Sequence, residues 1–228
     1  MGGGMTKAIV FDLDGTLIDS APDIQSALNA VLAGEGAAAA SLEETISFVG
    51  NGIPALIAQA IAARGLDPAR QAPMTAGMLD HYTRSPARLT RPYPGVRDCL
   101  AALAAQGFAL GICTNKAEAP TLAILDALDL RAPFACIIGG DSLPQRKPDP
   151  APLHAAFAAT GQPFLFIGDS EVDAQTAAAA GVPFALFTRG YRKAAVTELP
   201  HSFAFDDFAS LSAHIALLES RPEHGRGS

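Results

Sequence analysis

The stretch Lys7-Ala8-Ile9-Val10-Phe11-Asp12-Leu13-Asp14-Gly15-Thr16 decides the fold. Its first five residues are mostly apolar, with β-branched and aromatic members, and the run stops at two carboxylates and a glycine. That pattern predicts a short buried strand over 7–11. Similar runs over 108–113, 134–138, 164–167 and 183–187 predict four more strands, each bounded by Gly, Pro or Asp. Helical spacing over 96–106, 117–128, 152–160 and 172–180 fills the gaps between them. Gly107, Gly161 and Gly181 stand where helices commonly end in a left-handed residue. Strands alternating with helices predict an α/β fold: a doubly wound parallel sheet, Rossmann-like, with both faces covered.

One connection breaks this rhythm. Between the first strand and residue 108 lies a segment far longer than the dozen or so residues of an ordinary crossover. It carries helical patterns over 22–33, 53–63 and 73–85, rich in Ala and Leu. These predict an inserted all-helical cap over residues 16–86, lying above the carboxyl ends of the strands. The core domain is then discontinuous, comprising 1–15 and 87–228. Segments 16–21 and 85–95 hold the Ser, Pro and Gly expected of hinges.

Composition excludes several function classes. With 16 Lys+Arg against 23 Asp+Glu, the net charge is -7 and no basic stripe appears, so no nucleic-acid partner is expected. No run of about 18 apolar residues exists, so no membrane span is expected. The three cysteines, Cys99, Cys113 and Cys136, form no metal-ligand spacing, and their odd number suits a reduced, cytoplasmic setting. The five histidines are scattered, which argues against zinc. Met1 to Thr6 fits an N-myristoylation template, but no polybasic second anchor follows; an extension ahead of a start at Met5 is the simpler reading. The polar tail over 220–228 is expected to fray. A monomer and a homodimer are equally compatible with the sequence.

The chemistry-bearing residues gather where strands end. Asp12 and Asp14 leave a buried strand at its carboxyl end, where open α/β sheets place their ligands. Two neighbouring anions repel unless a cation or a proton separates them, so they indicate a metal or an acid/base role. An EF-hand does not fit: Gly15 falls fourth in the loop rather than sixth, and Asp23 replaces the final Glu. A polar turn with Asp14 as a helix cap remains open for this segment alone. The strand over 108–113 runs into Thr114-Asn115, and the strand over 164–167 runs into Gly168-Asp169, with Asp173 four residues on. Between them Lys147 is flanked by Arg146 and Pro148. Taken singly, these are helix caps or a solvated cation; taken together they converge on one edge of the sheet.

Asp12-x-Asp14-Gly15-Thr16, Thr114-Asn115, Lys147-Pro148 and Gly168-Asp169-x-x-x-Asp173 resemble the four motifs of the haloacid dehalogenase superfamily in its phosphatase branch. The position of the insertion is similar to that superfamily's helical cap. More narrowly, FDLDGTLIDSAPDI, GICTNK, GGDSLPQRKPDPAPL, GDSEVDA and TRGYRK resemble phosphoglycolate phosphatases. The resemblance implies Asp12 as a nucleophile that becomes an aspartyl-phosphate, and Asp14 as general acid and base. It implies that Thr114, Asn115 and Lys147 bind the phosphoryl oxygens. Mg²⁺ would be held by Asp12, the Asp14 backbone carbonyl and Asp169, with Asp173 orienting Lys147 or a metal-bound water. The expected partner is a small phosphorylated metabolite, 2-phosphoglycolate first; pyrophosphate, a sugar phosphate or a phosphomutase substrate are the rivals. The glycine-rich segment Gly50-Asn51-Gly52, entering a helix, is the candidate reader of the substrate's far end, with Arg64 or Arg84 as alternatives for its carboxylate. A phosphonate hydrolase needs a cap lysine, and residues 20–85 contain none. A phospho-acceptor signalling domain fits poorly, because Asp14 and a long cap both favour turnover over a lasting phosphorylated state.

Overall fold

The computed structural model describes residues 6–84 and 86–220. The acylation template and most of the tail therefore lie outside the described residues. In chain order the elements are β1 (Lys7–Phe11), β2 (Ile18–Asp19), α1 (Ala21–Gly34), α2 (Leu42–Phe48), α3 (Ile53–Arg64), α4 (Gln71–Arg84) and β3 (Arg91–Pro92). They continue with α5 (Val96–Ala105), β4 (Ala109–Cys113), α6 (Glu118–Ala127), β5 (Phe134–Ile138), α7 (Ala151–Thr160) and β6 (Gln162–Gly168). The last are α8 (Glu171–Ala180), β7 (Phe184–Phe187), β8 (Phe203–Phe205) and α9 (Phe208–Glu219).

Six strands form one parallel sheet in the order β5-β4-β1-β6-β7-β8. The expected doubly wound α/β core is present. β1 pairs with β4 on one side and β6 on the other, so the chain winds outward in both directions from it. The crevice created by that reversal opens at the carboxyl ends of these three strands. Alternation along β1 supplies both faces: Ile9 and Phe11 join one apolar cluster, and Ala8 and Val10 join the other. α7 and α8 cover the Ala8 face through Leu153, Ala156, Phe157, Ala174 and Ala177. α5, α6 and α9 cover the opposite face through Val96, Leu100, Leu103, Ile124, Leu211 and Ile215.

Sequence patterning missed β8, α9, α2 and the two-residue strands. β8 is too short to display alternation, yet Phe205 packs against Phe187 and Phe208, at ring-centroid distances of 5.3 Å each. α9 begins at Asp207, whose side chain accepts from the Ala209 amide, a capping signal that the sequence did carry.

α1 to α4 form a helical layer between β1 and the rest of the sheet in sequence. Their apolar faces are not a separate core. Leu28, Leu32, Ile57, Met74 and Met78 belong to the same buried cluster as Leu13, Leu17, Ile18 and Phe11. The chain enters and leaves this layer through an antiparallel ribbon, Ile18 opposite Pro92 and Asp19 opposite Arg91. Asp23, in the first turn of α1, clamps the returning segment: its carboxylate accepts from the Leu89 amide (2.9 Å), the Thr90 amide (2.8 Å) and the Thr90 hydroxyl (2.7 Å). Thr90 is fully buried, so its amide has no water to replace this partner.

Asp23→Ala is expected to lower unfolding free energy by about 2–4 kcal/mol, because buried donors lose a charged acceptor. Urea unfolding followed by circular dichroism measures this, and an unchanged midpoint would count against the clamp.

Candidate active site

Three carboxylates meet at the ends of β1 and β6. Asp12, Asp169 and Asp173 are all buried, and each places an oxygen within 4.8 Å of the others'. Asp12 follows directly on β1, and its amide bonds to the Ile167 carbonyl at 2.8 Å, carrying the strand pairing one residue further. Asp169 follows β6. Asp173 sits in the first turn of α8, in a reciprocal cap with Ser170. That cap turns the Asp173 side chain back toward the strand ends: its Oδ2 accepts from the Ser170 hydroxyl at 2.6 Å and from the Asp169 and Ser170 amides.

Lys147 compensates the cluster. Its ammonium lies 2.6 Å from Asp173 Oδ1 and 2.9 Å from Asp12 Oδ1. Burial opposes the charge on this lysine, and the Asp12 and Asp173 carboxylates outweigh it, so its hold on the proton is raised. One cation does not satisfy three anions. Burial pushes the Asp12 carboxyl up to about 6, with Lys147 pulling it down and Asp173 adding to the rise. Burial, then Asp173 and Asp12, raise Asp169 well above the ordinary carboxylate range. Asp12 Oδ1, although ion-paired, receives no well-directed hydrogen bond among the described residues.

This donor set suits a hard divalent cation. All its atoms are oxygens, they converge, and their charge is incompletely matched. Asp169 is also fixed from outside: Thr16 Oγ1 donates to Oδ1 at 2.7 Å and the Tyr191 amide to Oδ2 at 2.6 Å. Two glycines make room for it. A side chain at Gly15, where φ is +85°, would meet Asp169 Oδ2 at 2.5 Å, and one at Gly190 would overlap the same carboxylate.

The remaining residues expected from sequence lie around one cavity of about 370 Å³ between the sheet edge and α1, α3 and α4. Asp14, Thr114, Asn115, Gly50, Asn51 and Gly52 all line it, along with Asp12, Lys147 and Asp169. Asn115 joins sheet to cap, its side-chain amide donating to the Gly50 and Lys147 carbonyls, both at 3.0 Å. Asp14 accepts from Ser20 Oγ at 2.5 Å and faces Lys116, whose Nζ is 3.1 Å from Oδ2. The cysteines are not competitors for the chemistry: burial pushes Cys99 and Cys113 up to about 12, so neither offers a thiolate.

Two expectations are corrected. Arg64 makes a bidentate pair with Glu44 at 2.6 Å and also donates to the Ala38 and Ala39 carbonyls. Arg84 pairs with Asp80 one turn back on exposed α4 surface. Neither lines the cavity, and both are committed within the helical layer. Conversely, sequence reasoning gave no role to Lys116, Tyr191 or Tyr82. The Tyr191 hydroxyl donates to Asp19 at 2.7 Å and accepts from the Ser20 and Ala21 amides, bracing the hinge against the same loop that holds Asp169. The only available signals were positional: Lys116 follows Thr114-Asn115, and Tyr191 follows the end of β7.

The haloacid dehalogenase-like hydrolase family matches residues 9–187. A phosphoglycolate phosphatase from Cereibacter sphaeroides (strain ATCC 17029 / ATH 2.4.9) is 53% identical over 200 residues, covering 86% of this chain and 92% of the relative. One from Rhodospirillum rubrum is 44% identical over 216 residues, covering 91% and 90%. The crystal structure of a predicted phosphoglycolate phosphatase from Haemophilus somnus 129pt gives a TM-score of 0.87 at 32% identity, over 92% of this chain and 97% of that one. The chain belongs to the haloacid dehalogenase-like hydrolases. Within them it is an enzyme of the phosphatase kind.

Gly190→Ala is expected to reduce kcat/KM on p-nitrophenyl phosphate by on the order of 100-fold, because displacing a positioned group by about an ångström carries that penalty. Wild-type turnover in the variant would show that the position of Asp169 is not critical.

Proposed function

We propose that this protein is a Mg²⁺-dependent phosphatase that hydrolyses 2-phosphoglycolate to glycolate and inorganic phosphate in the cytoplasm. The observation that carries the reading is the meeting of Asp12, Lys147 and Asp169 on the floor of a cavity roofed by Gly50, Asn51 and Gly52. The shared name of relatives around 50% identity favours phosphoglycolate over pyrophosphate, a sugar phosphate or a mutase substrate. Among the described residues no helix is long and apolar enough to cross a membrane. Residues 16–86 act in this reading as the cap and the remainder as the core.

Phosphate-monoester hydrolysis is among the slowest uncatalysed reactions, so the site must supply a nucleophile, charge neutralisation and a proton. Asp12 attacks phosphorus and forms an acyl-phosphate bond as the P–O ester bond breaks. Asp14 donates its proton to the departing alkoxide, giving glycolate. It then takes a proton from water as that water attacks phosphorus, which releases phosphate and restores Asp12. Ser20 and Lys116 hold Asp14 at the cavity wall. Lys147 faces the charge that builds on the phosphoryl oxygens, and Thr114 with the Asn115 backbone supplies hydrogen bonds to them. Asp12, the Asp14 carbonyl and Asp169 would hold Mg²⁺, which would supply the positive charge that offsets repulsion between an anionic nucleophile and an anionic substrate. Asp173 is a positioning residue, since Lys147, Ser170 and two amides already occupy its oxygens.

Asp12→Asn is expected to reduce kcat at least about 1000-fold while the protein stays folded; substantial residual turnover would remove Asp12 as nucleophile. Protein stripped with EDTA is expected to be inactive until Mg²⁺ is restored, and full rate without added metal would overturn the cofactor assignment. In a panel of phosphorylated metabolites 2-phosphoglycolate is expected to rank first by kcat/KM. Another ester ahead by about tenfold, or roughly 1.4 kcal/mol of transition-state preference, would displace the substrate assignment.

A further inference from the structure

The substrate reading leaves one group without a partner: the carboxylate beside the ester oxygen. Three cations line the cavity, Lys116, Lys147 and Lys193. Lys147 is committed to Asp12 and Asp173 at the phosphoryl end. Lys193 is exposed at the rim. Lys116 is 7% exposed, and its ammonium sits 3.1 Å from Asp14 on one side and 4.5 Å from the Tyr82 ring centre on the other. Tyr82 comes from α4 in the helical layer, so this ammonium lies where sheet and cap walls meet.

Distances fix what Lys116 can touch. To protonate the leaving oxygen, Asp14 must come within a hydrogen bond of it, about 2.5–3.0 Å. In phosphoglycolate the carboxylate carbon is two covalent bonds of about 1.5 Å from that oxygen. An ammonium already beside Asp14 can therefore meet the carboxylate when the ester is bound with that group turned toward Lys116. Lys116 is buried and Ile24, Leu56 and Met78 are among the lining residues, and a charge-assisted bond is stronger in such a setting than in water. The Tyr82 hydroxyl is buried and has no hydrogen-bond partner among the described residues, a spare polar atom in the same wall.

We infer that Lys116, seated between Asp14 and the Tyr82 ring, binds the substrate's carboxylate and so selects phosphate esters that carry an acid next to the leaving oxygen. The inference rests on the phosphatase reading and on Asp14 acting at the leaving oxygen. It assigns to the strand-end loop after Thr114-Asn115 the recognition that the sequence reading had placed on the Gly50-Asn51-Gly52 loop or a cap arginine.

The test compares paired esters within one protein preparation, so any loss of active fraction cancels. The pairs are 2-phosphoglycolate with 2-hydroxyethyl phosphate, and 3-phosphoglycerate with glycerol 3-phosphate. For each pair the readout is the ratio of kcat/KM, acid over neutral. Lys116→Met is expected to lower the phosphoglycolate ratio at least about tenfold, with Lys116→Arg restoring part of it. If Lys116→Met turns over neither ester, the same ratio is read as dissociation constants by calorimetry in an Asp12→Asn background. An unchanged ratio, with both esters weakened alike, would mean that Lys116 serves only to hold Asp14 and would overturn the inference. Failure of the substrate reading looks different: wild-type protein would then prefer an ester other than phosphoglycolate, while the Lys116 comparison could still be read on any acid-bearing ester it accepts.

Discussion

Everything at the sheet edge depends on the mutual repulsion of three buried carboxylates. Asp12, Asp169 and Asp173 converge from two strand ends and a helix start, and among the described residues Lys147 is the one buried ammonium that touches the group. An uncompensated arrangement of this kind would splay apart or protonate. It is held by bonds that do not themselves neutralise charge, the Ser170 cap on Asp173 and the Thr16 and Tyr191 donors on Asp169, with glycines at 15 and 190 leaving the space in which Asp169 sits. The fold thus builds a concentrated negative potential on rigid elements, and the natural complement is a multivalent cation.

The helical layer is tied to this edge rather than merely placed above it. Its apolar residues continue the sheet's own cluster through Leu13 and Leu17. Asp23 clamps the returning chain, Tyr191 braces the departing one, and Asn115 bonds to the Gly50 carbonyl. Two of these three ties end on residues adjacent to the carboxylate cluster or the Thr114 loop. A displacement of the cap would therefore be felt at Asn115 and at the loop carrying Tyr191, which also fixes Asp169.

Much of this was readable from residue order. The apolar run ending in Asp12 and Asp14 announces a buried strand with chemistry at its end, and the later strand ends carry Thr114 and Asp169 by the same logic. What stayed hidden required tertiary geometry. The Arg64–Glu44 pair spans twenty residues between two helices, and only their packing removes Arg64 from consideration. Arg84 was more accessible to reasoning, since Asp80 lies one helical turn before it and offers a local partner. Lys116 sits inside a motif whose neighbours drew the attention, and nothing in sequence places it beside Asp14 or beneath Tyr82. β8 is three residues long, and it is legible only through the aromatic cluster that Phe205 joins.

The same electrostatics set a stability cost on the fold. Asp12 titrates near 6 in the folded chain against 3.8 for the free side chain, the direction expected when burial dominates. Below the lower value both folded and unfolded chains carry the proton, and folding is not penalised. As pH rises from the lower value to the higher one the unfolded chain ionises first, so stability is lost over that range by linkage. Asp169, raised for the same reasons, adds to this in the same direction. A cation among these carboxylates would reverse the sign of the local field and so relieve that penalty. The repulsion that costs stability is therefore also what would favour a cation here, and the surrounding sheet, buried on both faces, supplies the stability that lets the cluster persist.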